Sequence, residues 1–284
     1  MKIAVVGSNG QLGSELCRQL SETAVGLDLP RFDITCRDDV VERLSELQPQ
    51  VIINTAAYTQ VDKAEELPSL CRSVNVDGVS NLVLAASILN CTFVQISSDY
   101  VFDRDVGQRT PFKETDAANP RGVYASTKLE GEKLTGDLEK HFIVRTCGLY
   151  GRNTSAHGKN FVDTMLKLAT QDIPIRVVGD QYCTPSYVPH IARAIRFLIE
   201  TDAYGTYHVV NSGETTWHDF AAEIFRQADI PARLVRITTA EYAALPPRPK
   251  YSVLDTSKYC SLPNAPALPS WQEGIAEYLK LRME

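Results

Sequence analysis

Tyr124-Ala-Ser-Thr-Lys128 sets a phenol and an ammonium four residues apart, the spacing that puts two side chains on one face of a helix. A phenol with an unperturbed pKa of ~10 is a poor acid at neutral pH, and a nearby ammonium stabilises its phenolate. Such a pair describes a proton donor for a carbonyl oxygen as a hydride reaches the carbon, with Lys128 also placed to hold a nicotinamide ribose. Tyr-x-x-x-Lys pairs are common on helix surfaces, and the weight of this one comes from Ser98. That serine follows the apolar run Thr92–Ser97 and is expected to project into the same cleft, where its Oγ would hydrogen-bond the same oxygen and help hold the developing alkoxide.

A hydride needs a carrier, and the N-terminus supplies a place for one. The apolar run Lys2–Val6 leads into Gly7-Ser-Asn-Gly10-Gln11-Leu12-Gly13 and then into a helical stretch. Glycines spaced G-x-x-G-x-x-G at a strand-to-helix turn permit tight turning, close approach of a pyrophosphate and close helix packing, and the helix N-terminus adds free N–H groups. Asp28 lies at the end of the second apolar run, where a carboxylate would meet the adenosine ribose; a surface-turn role is the alternative. An acid there favours NADH over NADPH, whereas Arg31 would turn toward a 2′-phosphate, so both cofactors stay open.

The elements that must position these groups alternate from the first residue. Lys2–Val6, Ala24–Leu27, Val51–Asn54 and Thr92–Ser97 read as strands, while Gln11–Leu20, Asp38–Leu47 and Val76–Leu89 read as helices. Strands apolar on both faces and separated by helices predict an α/β fold, a Rossmann-type doubly wound parallel sheet that binds ligands beyond the carboxyl ends of its strands. Past about residue 150 the rhythm changes. Phe161–Thr170, Pro189–Glu200 and Trp217–Gln227 look helical, Ile175–Val178 and Tyr207–Asn211 look extended, and a last helix near Ser270–Leu281 has Ser270 as its N-cap. The expected organisation is an NAD(P)-binding domain over 1–150, with later segments interleaved into it, and a smaller C-terminal substrate-binding lobe over 151–284.

The bulk numbers narrow the partners. A net charge of -6 on 284 residues gives no field to attract polyanions, so nucleic acid is not an expected partner. No apolar stretch approaches the ~20 residues of a bilayer span, and the first residues already read as a strand, which predicts a cytoplasmic protein without a signal peptide or membrane contact. Seven cysteines form no Cys-x-x-Cys pair and have no histidine at ligand spacing, so reduced thiols are expected and no metal site. His190, His208 and His218 read as packing or surface residues, Trp217 and Phe220 as core. Asp62, Lys63, Glu65 and Glu66 read as a solvated helix start.

The segments GSNGQLG (7–13), Asp33-Ile34-Thr35, NTAAYTQVDKAE (54–65), SSDYVFD (97–103) and YASTKLEGE (124–132) are joined by KNFV (159–162), GDQYCTPS (179–186) and RPKYSVLDTSK (248–258). With them the chain resembles the extended short-chain dehydrogenase/reductases, and most closely the dTDP-4-dehydrorhamnose reductase family. The resemblance implies reduction, by NADPH or NADH, of the C4 keto group of a dTDP-4-keto-6-deoxy sugar, with Ser98, Tyr124 and Lys128 as the catalytic set. It implies that Gly10, Gln11 and Leu12 contact the pyrophosphate, Asp33 and Ile34 flank the adenine, and Ala57, Tyr58 and Thr59 line the nicotinamide half. Asp99, Tyr100, Asn160, Phe161 and Arg248 would face the nucleotide sugar, Arg248 as a phosphate partner. Many members carry tryptophan where this chain has Gly148, which would remove an aromatic wall beside the sugar. Some members bind Mg2+ through acidic residues; Glu15 matches one such position but Pro189 stands at another, which leaves no metal set. A homodimer follows only by analogy with the superfamily. Two other functions fit the same residues: a reductase or epimerase of another nucleotide sugar, and an NADP-binding regulatory subunit like that of methionine adenosyltransferase.

Overall fold

The structure is a computed structural model that describes residues 1–104, 107, 109–152, 160–171, 173–243 and 246–283. The apolar runs of the first half form strands β1 (Ile3–Val6), β2 (Ala24–Leu27), β3 (Val51–Asn54), β4 (Thr92–Ser98) and β5 (His141–Thr146). With Gly205–His208 they make one sheet in the order Gly205–His208, β5, β4, β3, β1, β2, and every pairing is parallel.

The alternation within each strand explains why the sheet is covered twice. Ile3, Val5, Ile53, Val94 and Ile96 pack on one face, against Leu16 of helix α1 (Gln11–Leu20) and Ile191 and Ile195 of helix Val188–Leu198. Ala4, Val6, Ile52 and Phe93 pack on the other, against Val40 and Leu44 of helix α2 (Arg37–Leu47) and Leu82 of helix Gly78–Leu89. This is the doubly wound α/β arrangement. β2 and β3 flank β1 on opposite sides, so the winding reverses at β1 and a crevice opens beyond the carboxyl ends of β1 and β3.

The second half of the chain serves two bodies. Helix Val188–Leu198 and strand Gly205–His208 return to the sheet. Helices Phe161–Ala169, Trp217–Gln227 and Trp271–Met283 surround a parallel strand pair, Ile175–Val178 with Leu234–Ile237, over a core that includes Phe220, Ile224 and Ile275. The last helix starts as its sequence predicts: Glu273 N donates to Ser270 Oγ at 3.2 Å and Ser270 N to Glu273 Oε2 at 2.7 Å, a reciprocal cap. The helix expected over Val76–Leu89 begins instead at Gly78, after a wide π-type turn at Ser73–Asp77. The strand expected at Tyr207–Asn211 lies earlier, at Gly205–His208. Among the described residues, no helix is long and apolar enough to cross a membrane.

Candidate active site

The glycine loop closes over the end of β1 because side chains are excluded there. Gly7 has φ +77, and a Cβ on it would fall 2.6 Å from Ala56 N; one on Gly13 would fall 2.2 Å from Gly7 O. Gly10 N–H donates to Gly7 O at 3.0 Å, and no side chain caps the first turn of α1. Its N–H groups at Gln11, Leu12 and Gly13 therefore open into the crevice, as an anion site requires.

A cleft of about 340 Å³ continues from this loop, with Ser8, Asn9, Asp28, Arg31 and Arg43 among its walls. Asp28 is turned inward on the loop: Oδ2 accepts Asn9 N–H at 2.7 Å and Oδ1 accepts Leu29 N–H at 2.8 Å. Two backbone donors offset its charge while two guanidinium groups line the same cleft, so the site suits a 2′-phosphate as well as a free ribose hydroxyl. Asp33 closes its own turn through Thr35 N–H at 2.9 Å, and Ile34 is buried in the core against Gly78. The loop Ala57–Tyr58–Thr59 after β3 is held by a residue the sequence did not single out. Asn75, on the wide turn, accepts Tyr58 N–H at 2.9 Å and donates to Tyr58 O at 3.2 Å and to Thr127 Oγ1 at 3.2 Å.

Ser98 ends β4, and Tyr124 and Lys128 lie on helix Gly122–Gly136, which packs against that strand. Tyr124 and Ser98 interact directly, and Lys128, one helical turn after Tyr124, reaches the same strand two residues before Ser98. Burial pushes the Tyr124 phenol up to about 12, with the Ser98 hydroxyl pulling the other way. Lys128 is 5% exposed; burial lowers its ammonium to about 8 against the raising influence of Glu132. The ammonium donates to Ile96 O at 2.6 Å. In this structure the hydroxyl that bonds the phenol is that of Ser98.

Asp99 departs from expectation. Its carboxylate is buried rather than turned to a ligand, accepting Ser252 Oγ at 2.6 Å and Ser98 Oγ at 3.2 Å. Burial raises it to about 6, with Ser252, Cys147 and Ser98 opposing. Ser98 gives its hydrogen to Asp99 and accepts Tyr100 N–H at 3.2 Å, so it must rotate before it can polarise a carbonyl. The Tyr100 ring stands edge-on to Tyr124 with centroids 5.9 Å apart.

Arg248 reaches the cleft region from the far end of the chain. Its Nη2 donates to Asp62 Oδ1 at 2.8 Å, while Nη1 is buried without a partner. Gln11 Oε1 and Thr146 Oγ1 are likewise buried and unpartnered. Gln11 follows β1 and Thr146 ends β5 beside Ser98 in register, so two of these orphaned atoms sit at the carboxyl edge of the sheet, as at a ligand cleft. Asp62 and Glu65 are exposed on the short helix Val61–Glu66, as expected, and each also makes a bond: Asp62 holds Arg248, and Glu65 Oε1 accepts Val123 N–H at 2.7 Å at the start of the Tyr124 helix.

Asn160 has a different task from the expected sugar contact. It caps helix Phe161–Ala169 through Asp163 N–H at 2.8 Å, and its amide donates to Gly151 O and Tyr278 OH, both at 3.1 Å. Its neighbour Lys159 lies outside the described residues. Phe161 packs on Trp217 with centroids 4.9 Å apart. Trp217 also fills the space beside Gly148, where a Cβ would meet the indole at 3.0 Å. An indole thus stands beside Gly148, contributed by another helix. Glu15 is paired with Arg18 at 2.6 Å, and among the described residues no group of three or more acidic, His or Cys side chains gathers for a metal.

A family model described as RmlD substrate binding domain matches residues 1–283. The spore coat polysaccharide biosynthesis protein SpsK of Bacillus subtilis is 35% identical, over 99% of this chain and 98% of that protein. A dTDP-4-dehydrorhamnose reductase of Aggregatibacter actinomycetemcomitans is 38% identical, over 90% of this chain and 91% of that protein. Among solved structures, the dTDP-4-dehydrorhamnose reductase of Bacillus anthracis in complex with NADP superposes with a TM-score of 0.93 at 36% identity, covering 99% of this chain and 100% of that one.

Proposed function

The chain belongs to the RmlD substrate binding domain family, and we propose that it reduces the C4 keto group of dTDP-4-dehydro-L-rhamnose with NADPH or NADH, giving dTDP-L-rhamnose. The observation that carries this reading is the contact of Tyr124 with Ser98 at the carboxyl end of β4, with Lys128 bonded to the same strand, in a chain matched along almost its whole length. A nicotinamide cofactor held at the Gly7–Gly13 loop would supply the hydride that C4 takes up. Tyr124 donates its proton to the O4 oxygen, and it holds that proton at neutral pH because burial disfavours the phenolate. Ser98, rotated from Asp99, donates to the same oxygen and stabilises charge as it develops. Lys128, while cationic, lowers the cost of the phenolate left behind. The unpartnered Nη1 of Arg248 suits a diphosphate oxygen. The uncapped start of α1 and the Arg31–Arg43 cleft support a dinucleotide, with the 2′-phosphate of NADPH accommodated. The assignment extends to a cytoplasmic enzyme, acting as a homodimer by analogy with its superfamily, that takes a nucleotide sugar and no nucleic acid.

The test is turnover. Purified protein mixed with NADPH and dTDP-4-dehydro-L-rhamnose should oxidise the nicotinamide and release dTDP-L-rhamnose. A sample that binds NADPH but oxidises none of it with this substrate would be a regulatory subunit or a reductase of another sugar.

A further inference from the structure

Three consecutive residues at the end of β4 meet three residues spaced by four on the Tyr124 helix. Ile96 O receives Lys128 Nζ, the Ser97 hydroxyl donates to Glu132, and Ser98 interacts with Tyr124. Residues 124, 128 and 132 share one helix face, so the strand's last turn is fastened to that face at three successive points. Glu132 is 4% exposed and is itself held from behind. Arg145 of β5 grips it with Nε on Oε1 at 2.9 Å and Nη2 on Oε2 at 2.7 Å. Arg145 is backed in turn by His208 Nε2 at 3.4 Å and by the Phe102 ring, 4.9 Å from the guanidinium. His208 is kept neutral, pushed down to about 3 by burial and by Arg145, with Nδ1 facing Asp255 O at 3.1 Å. A neutral histidine with its proton on Nδ1 leaves Nε2 to accept from Arg145.

We propose that Glu132 is a positioning residue of the active site: held between Ser97 and Arg145, it locks the helix carrying Tyr124 and Lys128 onto the strand carrying Ser98, and its fixed negative charge keeps the Lys128 ammonium charged. This rests on the reductase reading for its effect on turnover, but not for its effect on Lys128. The groups that face the lysine are Glu132 on its own helix and Cys71 from helix Pro68–Arg72, and Arg145 is bound to the far side of Glu132. Asp99 lies beyond Ser98, Glu65 sits at the helix start, and the Arg72–Glu130 pair and Asp77 are solvent-exposed. Helix Gly78–Leu89 carries no charge. Glu132 is therefore the anion that supports the buried ammonium, and Arg145 limits how much of that charge the lysine feels.

The two charges make predictions of opposite sign. In cofactor-free protein, the lysine ε-carbon NMR signals would be titrated, with Lys128 assigned by its loss in Lys128→Met. Glu132→Gln should lower the Lys128 midpoint by about one pH unit or more, and Arg145→Gln should raise it. In turnover assays, the alkaline limb of kcat should move with each midpoint. A midpoint unmoved in both variants, or a kcat loss equal at every pH, would overturn the proposal. Unpairing a buried ion pair is strongly destabilising, so either variant could fail to fold. If neither folds, Ser97→Ala decides, since it removes one hydroxyl and keeps both charges: kcat should fall several-fold with NADPH affinity unchanged, and an unchanged kcat would refute the lock. A moved midpoint without any turnover in the parent protein would reject the reductase reading and leave Glu132's role standing.

Discussion

Burial holds the Tyr124 proton in place up to a pH of about 12, so the phenol delivers it only when a base forms beside it. A developing alkoxide is such a base. Replacing Tyr124 with Phe should lower kcat by about 10²–10⁴-fold and leave NADPH affinity, read by nicotinamide fluorescence, unchanged. Lys128 sets the other limit. Its midpoint lies at about 8, the ammonium is the form below it, and the ammonium is what stabilises a phenolate. Activity should therefore fall as pH rises through about 8, and a kcat profile flat across that midpoint would remove Lys128 from the mechanism. Spacing alone singled out Ser98, Tyr124 and Lys128, because two are one helical turn apart and the third ends a recognisable strand. Ser252, Asn75 and Glu132 were hidden. Ser252 meets Asp99 from 153 residues away, and no local pattern carries a pairing of that range.

Elements whose apolar period matches their burial were legible within a residue or two. β1 and β3 are buried along their whole length, and their runs of Ile, Val and Ala have no other stable place than a sheet covered on both sides. Ser73–Asp77 was not legible, since its apolar period runs on into the next helix and only the backbone widens. That widening matters, as Asn75 sits there and fixes the loop Ala57–Tyr58–Thr59 after β3. Asn160 shows how an element can claim a residue that a motif assigned to a ligand. Asn160→Ala deletes a helix cap and two buried bonds, and should destabilise the fold by about 2–3 kcal/mol. Urea denaturation would show the loss, while KM for the sugar nucleotide should not move in protein that remains folded.

At the scale of the molecule, the alternation of strands and helices predicted the sheet, but not that Gly205–His208 would close its edge beside β5. That choice depends on partners 63 residues apart. The second half of the chain also sends Arg248 back to Asp62, across 186 residues, so this ion pair joins the late loop to the short helix Val61–Glu66 after β3. A ligand diphosphate would compete with Asp62 for the guanidinium. Arg248→Met should raise KM for the nucleotide sugar about tenfold or more, from the loss of a charge-assisted bond, and leave NADPH affinity as it was. A fall in melting temperature with KM unaltered would make the pair a strut between loops and nothing more.

Gly148 and Trp217 occupy one volume between them. The backbone at 148 is left-handed, with φ +50, and the indole stands where its side chain would go. Bulk at either position therefore requires its absence at the other, and the two positions, 69 residues apart in the chain, act as a single variable. A side chain placed at 148 would press on that indole and also on Pro185, whose Cα lies 3.2 Å from the same point. A large residue introduced at 148 alone would force one of these neighbours to shift, whereas pairing it with a smaller residue at 217 would make room for it.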